Sequence, residues 1–298
     1  GAQTWEQPFV MADTFGVSDN NPCMVIDPEQ RLWLFHATLL AVPKSAWGSA
    51  LVRYHIASDY ANAGPPAWDY ENLLVVHPPD FKQTDSALPG MNMIAGLLKD
   101  PFRARLGWMP RAHPLITSSG ALLLPLANEN LTLAVMAFTR DMGQTWTISQ
   151  PVPGLGLEQP TVVEFPGGAM TAFFRNDRPQ HRIVRSDSTD GGMTWGPVTL
   201  TELPHPNAGI EAIVLRSGRL AMIYNDSAEE RDRLAVSISE DRGQTWRWIR
   251  HLDNTPGQRF DYPSIIQTPD GAIHATYSYN TSTIKYARFN ETWVQQGD

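Results

Sequence analysis

Arginine, glutamate, tyrosine and asparagine recur in short polar stretches beside runs of alternating apolar residues. One set comprises Asn20-Asn21-Pro22, Trp108-Met109-Pro110-Arg111 with His113 close behind, Glu158-Gln159-Pro160, Asn207-Ala208-Gly209 with Glu211, and Asp261-Tyr262-Pro263. A second set comprises His36, Asn128 to Asn130, Arg175-Asn176-Asp177-Arg178, Asn225-Asp226 through Arg231 and Arg233, and Tyr279-Asn280. Guanidinium groups grip carboxylates bidentately, and Tyr or Glu can act as nucleophile or proton carrier. The chemistry on offer is recognition of an anionic ligand together with nucleophilic or proton-transfer work. Loops are polar in any case; what sets these apart is that they carry Arg, Glu, Tyr and Asn rather than Lys and Ser.

An internal repeat defines the scaffold that carries these residues. Thr139-Arg140-Asp141-Met142-Gly143-Gln144-Thr145-Trp146 recurs as Ser188-Thr189-Asp190-Gly191-Gly192-Met193-Thr194-Trp195 and as Ser239-Glu240-Asp241-Arg242-Gly243-Gln244-Thr245-Trp246. The pattern [ST]-x-D-x-G-x-T-W reads as a hairpin turn whose Asp accepts bonds from turn N–H groups and whose Gly takes φ > 0. In step with it, alternating apolar segments follow turns at Gly120, Gly168, Gly218 and Gly271. A unit of about 50 residues with four antiparallel strands is a propeller blade. In such a blade the first polar set opens the inner strands and the second fills the loops between strands two and three, so both share one face. The Asp motifs lie on the other.

Trp5, Trp68, Trp146, Trp195, Trp246 and Trp293 give a coarse count of six units, and Trp5 and Trp293 both follow Thr as the motif requires. The expectation is therefore an all-β, six-bladed β-propeller occupying 1–298 as a single domain. Thr4-Trp5 reads as the end of a motif, so the first blade is expected to be incomplete at the N-terminus. Residues at about 69–107 exceed the period and form an insertion between blades, with a helical stretch at Met91 to Lys99; it reads equally as a lid or as a surface excursion.

Composition narrows the function. A formal net charge of -8 disfavours nucleic acid and anionic membranes as partners. The single cysteine, Cys23, cannot form an intrachain disulfide, and no Cys/His cluster suggests zinc.

The phased Asp motifs resemble the Asp boxes of the sialidase superfamily, and the chain resembles a bacterial sialidase-like (BNR-repeat) protein over essentially its whole length. Glu158 through Glu164 followed by Arg175 is similar to that family's segment with the catalytic Glu and second Arg. Arg231 or Arg233 before Leu234-Ala235-Val236 is similar to its third-Arg segment, and Tyr262 stands where the family has its Tyr nucleophile. The resemblance implies that Tyr262 attacks the anomeric carbon, that Glu158 takes its proton, and that Arg175 and Arg231 clamp a substrate carboxylate. The family's first Arg and its acid/base Asp, both in blade one, have no counterpart to assign. Arg111 is a candidate third cation, His113 or His274 a candidate proton carrier, and Glu211 competes with Glu158 for the carboxylate role. Expected catalytic residues are thus Tyr262, Glu158 and Glu211; expected substrate-binding residues are Arg111, Arg175, Arg231, Asn207 and His113.

Three function classes stay open. The first is an exo-acting glycoside hydrolase removing a terminal acidic sugar with no metal or organic cofactor. The second is a polysaccharide lyase acting on uronate-containing glycans, and the third a non-catalytic glycan-binding propeller. A carbohydrate partner and a secreted or periplasmic location are expected; oligomeric state is open.

Overall fold

The computed structural model describes residues 4, 5, 7–41, 46–79, 91–128 and 130–298. Its strands fall into five antiparallel sheets, each running outward in chain order. The first sheet contains β1 (Ser18–Ile26), β2 (Leu32–Leu39), β3 (Ala50–Ala57) and β4 (Tyr70–Leu74). The second has an interrupted inner strand, β5 (Trp108–Met109) and β6 (Leu115–Ile116), both paired with β7 (Leu122–Asn128), then β8 (Leu133–Thr139) and β9 (Thr147–Ile148). The third holds β10 (Glu158–Glu164), β11 (Met170–Arg175), β12 (Arg182–Ser188) and β13 (Thr199–Pro204). The fourth holds β14 (Glu211–Val214), β15 (Leu220–Asn225), β16 (Arg233–Ser239) and β17 (Trp248–Asn254). The fifth has three strands, β18 (Phe260–Gln267), β19 (Ile273–Tyr279) and β20 (Thr283–Phe289).

The all-β propeller holds, but with five blades among the described residues rather than six. Two of the tryptophans used in the count explain the difference. Trp293 opens no strand: Asn290 accepts a bond from the Trp293 N–H (2.9 Å) and caps a short helix, α3 (Glu291–Gln295). Trp5 lies outside any strand, edge-on to Tyr286 of β20 with ring centroids 5.6 Å apart. No partial first blade appears among the described residues; β1 begins a full four-stranded sheet, and the sheet with three strands is the last. Between β4 and β5 run α1 (Met91–Leu97) and α2 (Pro101–Arg105), the latter capped by Asp100. Residues 80–90 of that stretch lie outside the described residues.

The core lies between blades. Leu122, Leu124 and Leu126 of β7 pack with Trp33, Phe35 and Tyr54 of the first sheet, while Leu123 points the other way, to Val162, Phe174 and Trp195 of the third. Both faces of such a strand are covered, so β7 is buried along its full length. Similar clusters join the third sheet to the fourth and the fourth to the fifth. Among the described residues no apolar cluster joins the fifth sheet to the first. The first sheet is instead met by the segment before β1, where Met11 O accepts from Trp68 Nε1 (2.9 Å) and the Thr14 N–H donates to Asp19 (2.7 Å).

The Asp motifs behave as their spacing implies. Asp141, Asp190 and Asp241 each accept the N–H of the Thr four residues on, at 2.9, 2.9 and 2.8 Å. Each motif glycine abuts an aromatic ring of the preceding blade: Gly143 on Tyr54, Gly192 on Phe138 and Gly243 on Phe173. Gly143 has φ +76, and a Cβ there would lie 2.7 Å from Tyr54, whose hydroxyl donates to Gly143 O. Left-handed backbone and overpacking together set the cost of Gly143→Ala at roughly 2–4 kcal/mol. Urea unfolding should show a lowered midpoint at constant slope; an unchanged midpoint would contradict the packing described.

Candidate functional site

Antiparallel order brings the inner-strand starts and the loops between second and third strands to one rim, and the Asp motifs to the opposite one. At that rim the inner strands share a local device. Register slips by a bulge between Asn20 and Cys23 in β1, between Glu158 and Thr161 in β10, and between Asp261 and Ser264 in β18. The residue inside each bulge has positive φ: Asn21 (51°), Gln159 (46°) and Tyr262 (50°), and Asn207 (53°) stands at the matching position ahead of β14. Bulges of this kind re-aim side chains at the end of a strand. Tyr262 is thereby turned outward, 48% exposed, and its hydroxyl makes no hydrogen bond among the described residues. A left-handed tyrosine carries a conformational cost of about 1–2 kcal/mol, which its surroundings must hold in place.

Beside Tyr262 is a cavity of about 350 Å³, lined by Asn21, Cys23, Arg111, His113 and Glu211 among others. Arg111 spans the ring of blades: it donates to Ile210 O (2.8 Å) and Pro263 O (2.6 Å), and its guanidinium carbon is 5.8 Å from the Tyr262 ring centroid. Gly209 permits this approach, since a Cβ there would meet Arg111 at 3.0 Å and Tyr262 at 3.2 Å.

Glu211, 2% exposed, is fixed from two other blades. One oxygen accepts the His113 N–H and faces His113 Nδ1, both at 2.8 Å; the other accepts the Ile265 N–H at 2.8 Å. Burial alone would raise its pKa, but His113, Arg111 and these bonds outweigh it and hold the carboxyl below its ordinary value. For His113 burial works downward and Glu211 upward; the carboxylate prevails and the imidazole is raised. Burial pushes the Cys23 thiol well up, with Glu211 adding to the shift, so it remains protonated.

Glu158, Arg175, Asn207 and Arg231 form a second, adjoining group. Glu158 and Arg175 are cross-strand partners, with Arg175 Nε 3.3 Å from Glu158 and 2.7 Å from Asn207 Oδ1. Arg231 donates to Asn207 O and pairs with buried Asp261, each at 2.5 Å. Asn207 thus ties the two arginines together. His205, buried beneath it with Nε2 2.7 Å from Ala208 O, is pushed down to about 4 by that burial and stays neutral.

The structure therefore brings Tyr262, Glu211, Arg111 and His113 into one cavity wall, while Glu158 joins the arginine group. Arg175 pairs with Glu158 and Asn207, not with neighbouring Asp177. Arg233 turns to Ser227 (3.2 Å) and is exposed. His274 sits at the far end of its blade, bonded to Thr268 (3.1 Å) and Tyr286 (2.7 Å). His36 is in no loop: it is buried in β2, stacked on His55 with their Nε2 atoms 2.9 Å apart. Asp261 as the partner of Arg231 and Cys23 as a cavity residue are not among the residues expected from the sequence; the residue-Pro step shared by Asn21, Gln159 and Tyr262 is a signal that could locate Cys23's neighbourhood.

Comparisons with known proteins agree with this architecture. A Micromonospora viridifaciens protein named sialidase is 31% identical over 172 residues, covering 54% of this chain and only 26% of the relative. Among solved structures, the Hadza microbial sialidase Hz136 superposes with a TM-score of 0.76 at 17% identity, over 98% of this chain and 58% of that one. The intramolecular trans-sialidase from Ruminococcus gnavus gives 0.69 at 13% identity, over 94% and 79%. This chain thus spans little more than half of Hz136, and at these identities the superpositions establish the fold. The family described as BNR repeat-like domain matches residues 1–275, and the chain belongs to it.

Proposed function

We propose that this protein is a sialidase-like glycoside hydrolase that removes a terminal acidic sugar, sialic acid or a relative, from glycans outside the cytoplasm. The observation that carries this reading is Tyr262, half-exposed on strained backbone beside the cavity, with Arg111 over its ring. The phenol oxygen attacks the anomeric carbon, and its proton passes to Glu158 of the adjoining arginine group, the role that the sequence resemblance implies for it. A neutral nucleophile suits an anomeric centre that bears its own carboxylate, because two anions need not approach one another. Arg111, Arg175 and Arg231, gathered around Asn207 and Tyr262, supply the positive field that draws that carboxylate in.

The lyase reading has one observation in its favour: His113, Tyr262 and Arg111 share a cavity wall, a set that can neutralise a uronate and move its proton. A mass-spectrometric screen against sialylated and uronate-containing oligosaccharides, read with ultraviolet absorbance, separates the classes. Release of a hydrated acidic monosaccharide is expected. An unsaturated, absorbing product would transfer the protein to the lyases, and saccharide binding without turnover would make it a binding propeller.

A further inference from the structure

We propose that His113, oriented by Glu211, is the residue that protonates the leaving-group oxygen and later deprotonates the attacking water. This rests on the hydrolase reading above and names the proton carrier that the reading lacks.

The cavity wall itself narrows the choice. Its only carboxyl group among the described residues is Glu211, and both of that group's oxygens are already engaged by His113 and Ile265. Cys23 is buried and held as a thiol. Tyr277, also in the wall, gives its hydroxyl proton to Asp253. His113 differs from all three. Its side chain is 34% exposed, Nδ1 is fastened to Glu211, and Nε2 makes no hydrogen bond among the described residues. A carboxylate that fixes one ring nitrogen leaves the other to do the proton transfer, with tautomer and ring angle set in advance. The same carboxylate favours the protonated ring, which makes the imidazole a competent acid near neutrality.

In the first half of the reaction the bond from Tyr262 oxygen to the anomeric carbon forms as the glycosidic C–O bond breaks. The electron pair of the broken bond goes to the leaving-group oxygen, which takes the proton from His113 Nε2. In the second half a water oxygen bonds to the anomeric carbon, its proton returns to Nε2, and the Tyr262 oxygen leaves and recovers its own proton from Glu158. Glu211 remains ionised throughout.

The test compares two substrates of the full chain: a p-nitrophenyl sialoside, whose phenolate departs without help, and 3′-sialyllactose, whose sugar alkoxide needs a proton. His113→Gln is expected to lower kcat on sialyllactose about 100-fold or more, the usual range for losing a general acid, and on the aryl substrate less than about fivefold. Glu211→Gln should move the alkaline limb of kcat/KM to lower pH, and the NMR titration of His113 should fall below its wild-type midpoint in that variant. The titration needs no turnover and also reports that the variant is folded. Equal losses on both substrates, or a titration midpoint unmoved by Glu211→Gln, would overturn the assignment while leaving the hydrolase reading intact. A wild-type protein that hydrolyses neither substrate would remove the hydrolase reading and this proposal with it.

Discussion

Tyr262→Phe is expected to lower kcat on a sialoside by about 10⁴-fold or more, the scale at which loss of a covalent nucleophile is felt, while substrate affinity and unfolding free energy stay close to those of the parent. The separation of effects follows from geometry. The phenol oxygen bonds to nothing among the described residues and the ring is half exposed, so deleting one oxygen breaks no structural contact; surface changes of that kind stay within about 0.5 kcal/mol. Arg111 keeps its two carbonyl partners and its place over the ring. The measurement is single-turnover kinetics beside equilibrium binding of the product sugar and a thermal melt. A variant retaining more than a tenth of parental kcat would show that Tyr262 is not the nucleophile, and one that fails to fold would show that the hydroxyl has a structural role absent from the geometry.

The second large effect concerns stability. Glu211→Ala should cost about 3–5 kcal/mol, as expected when one member of a buried charged pair is removed and its partners are stranded. Three donors lose their acceptor at once: the His113 N–H, His113 Nδ1–H and the Ile265 N–H. The pH dependence has two arms. Glu211 is held below its ordinary 4.5, so its contribution is present above 4.5 and is lost as pH falls through the folded-state value. His113 is raised above its ordinary 6.5, so its contribution is complete below 6.5 and is lost as pH rises through the folded-state value. The gap between wild type and variant should therefore be widest between pH 4.5 and 6.5 and narrow on either side. Denaturant titrations across that range check this, and a gap independent of pH would mean that packing rather than the ion pair supplies the stability.

Much of this was legible in the residues themselves. The Asp motifs announced their own hydrogen bonds because donor and acceptor are four residues apart, and the Gly turns set the strand period. The pairing of Glu158 with Arg175 was within reach because both belong to one hairpin, where one strand begins and its neighbour ends at those residues. The blade count failed where a tryptophan served as a marker of strand starts: the local cap at Asn290 makes Trp293 helical, and the motif's Asp and Gly are missing before it, with Arg288 and Asn290 in their places. Glu211 and His113 are separated by 98 positions, and what joins them is closure across the ring of blades. Tyr262 could be picked out, but not the wall it shares, because that wall is drawn from four different sheets.

The bulges at the rim separate chemistry from architecture. Asn21, Gln159, Asn207 and Tyr262 occupy equivalent left-handed stations, but Gln159 is buried and Asn207 accepts from Arg175, whereas the Tyr262 side chain stands half exposed with its hydroxyl unbonded among the described residues. A half-exposed station such as Tyr262 can be exchanged with little disturbance of the inter-blade layers below, so what the rim does chemically and what holds the blades together are separable there. Asparagine tolerates the left-handed conformation better than most residues, so Asn21 and Asn207 hold it cheaply while Tyr262 holds it at a conformational cost. Substituting Asn there should relieve that cost and remove the phenol, so a change at this one station would alter the chemistry of the rim while every blade remained in place.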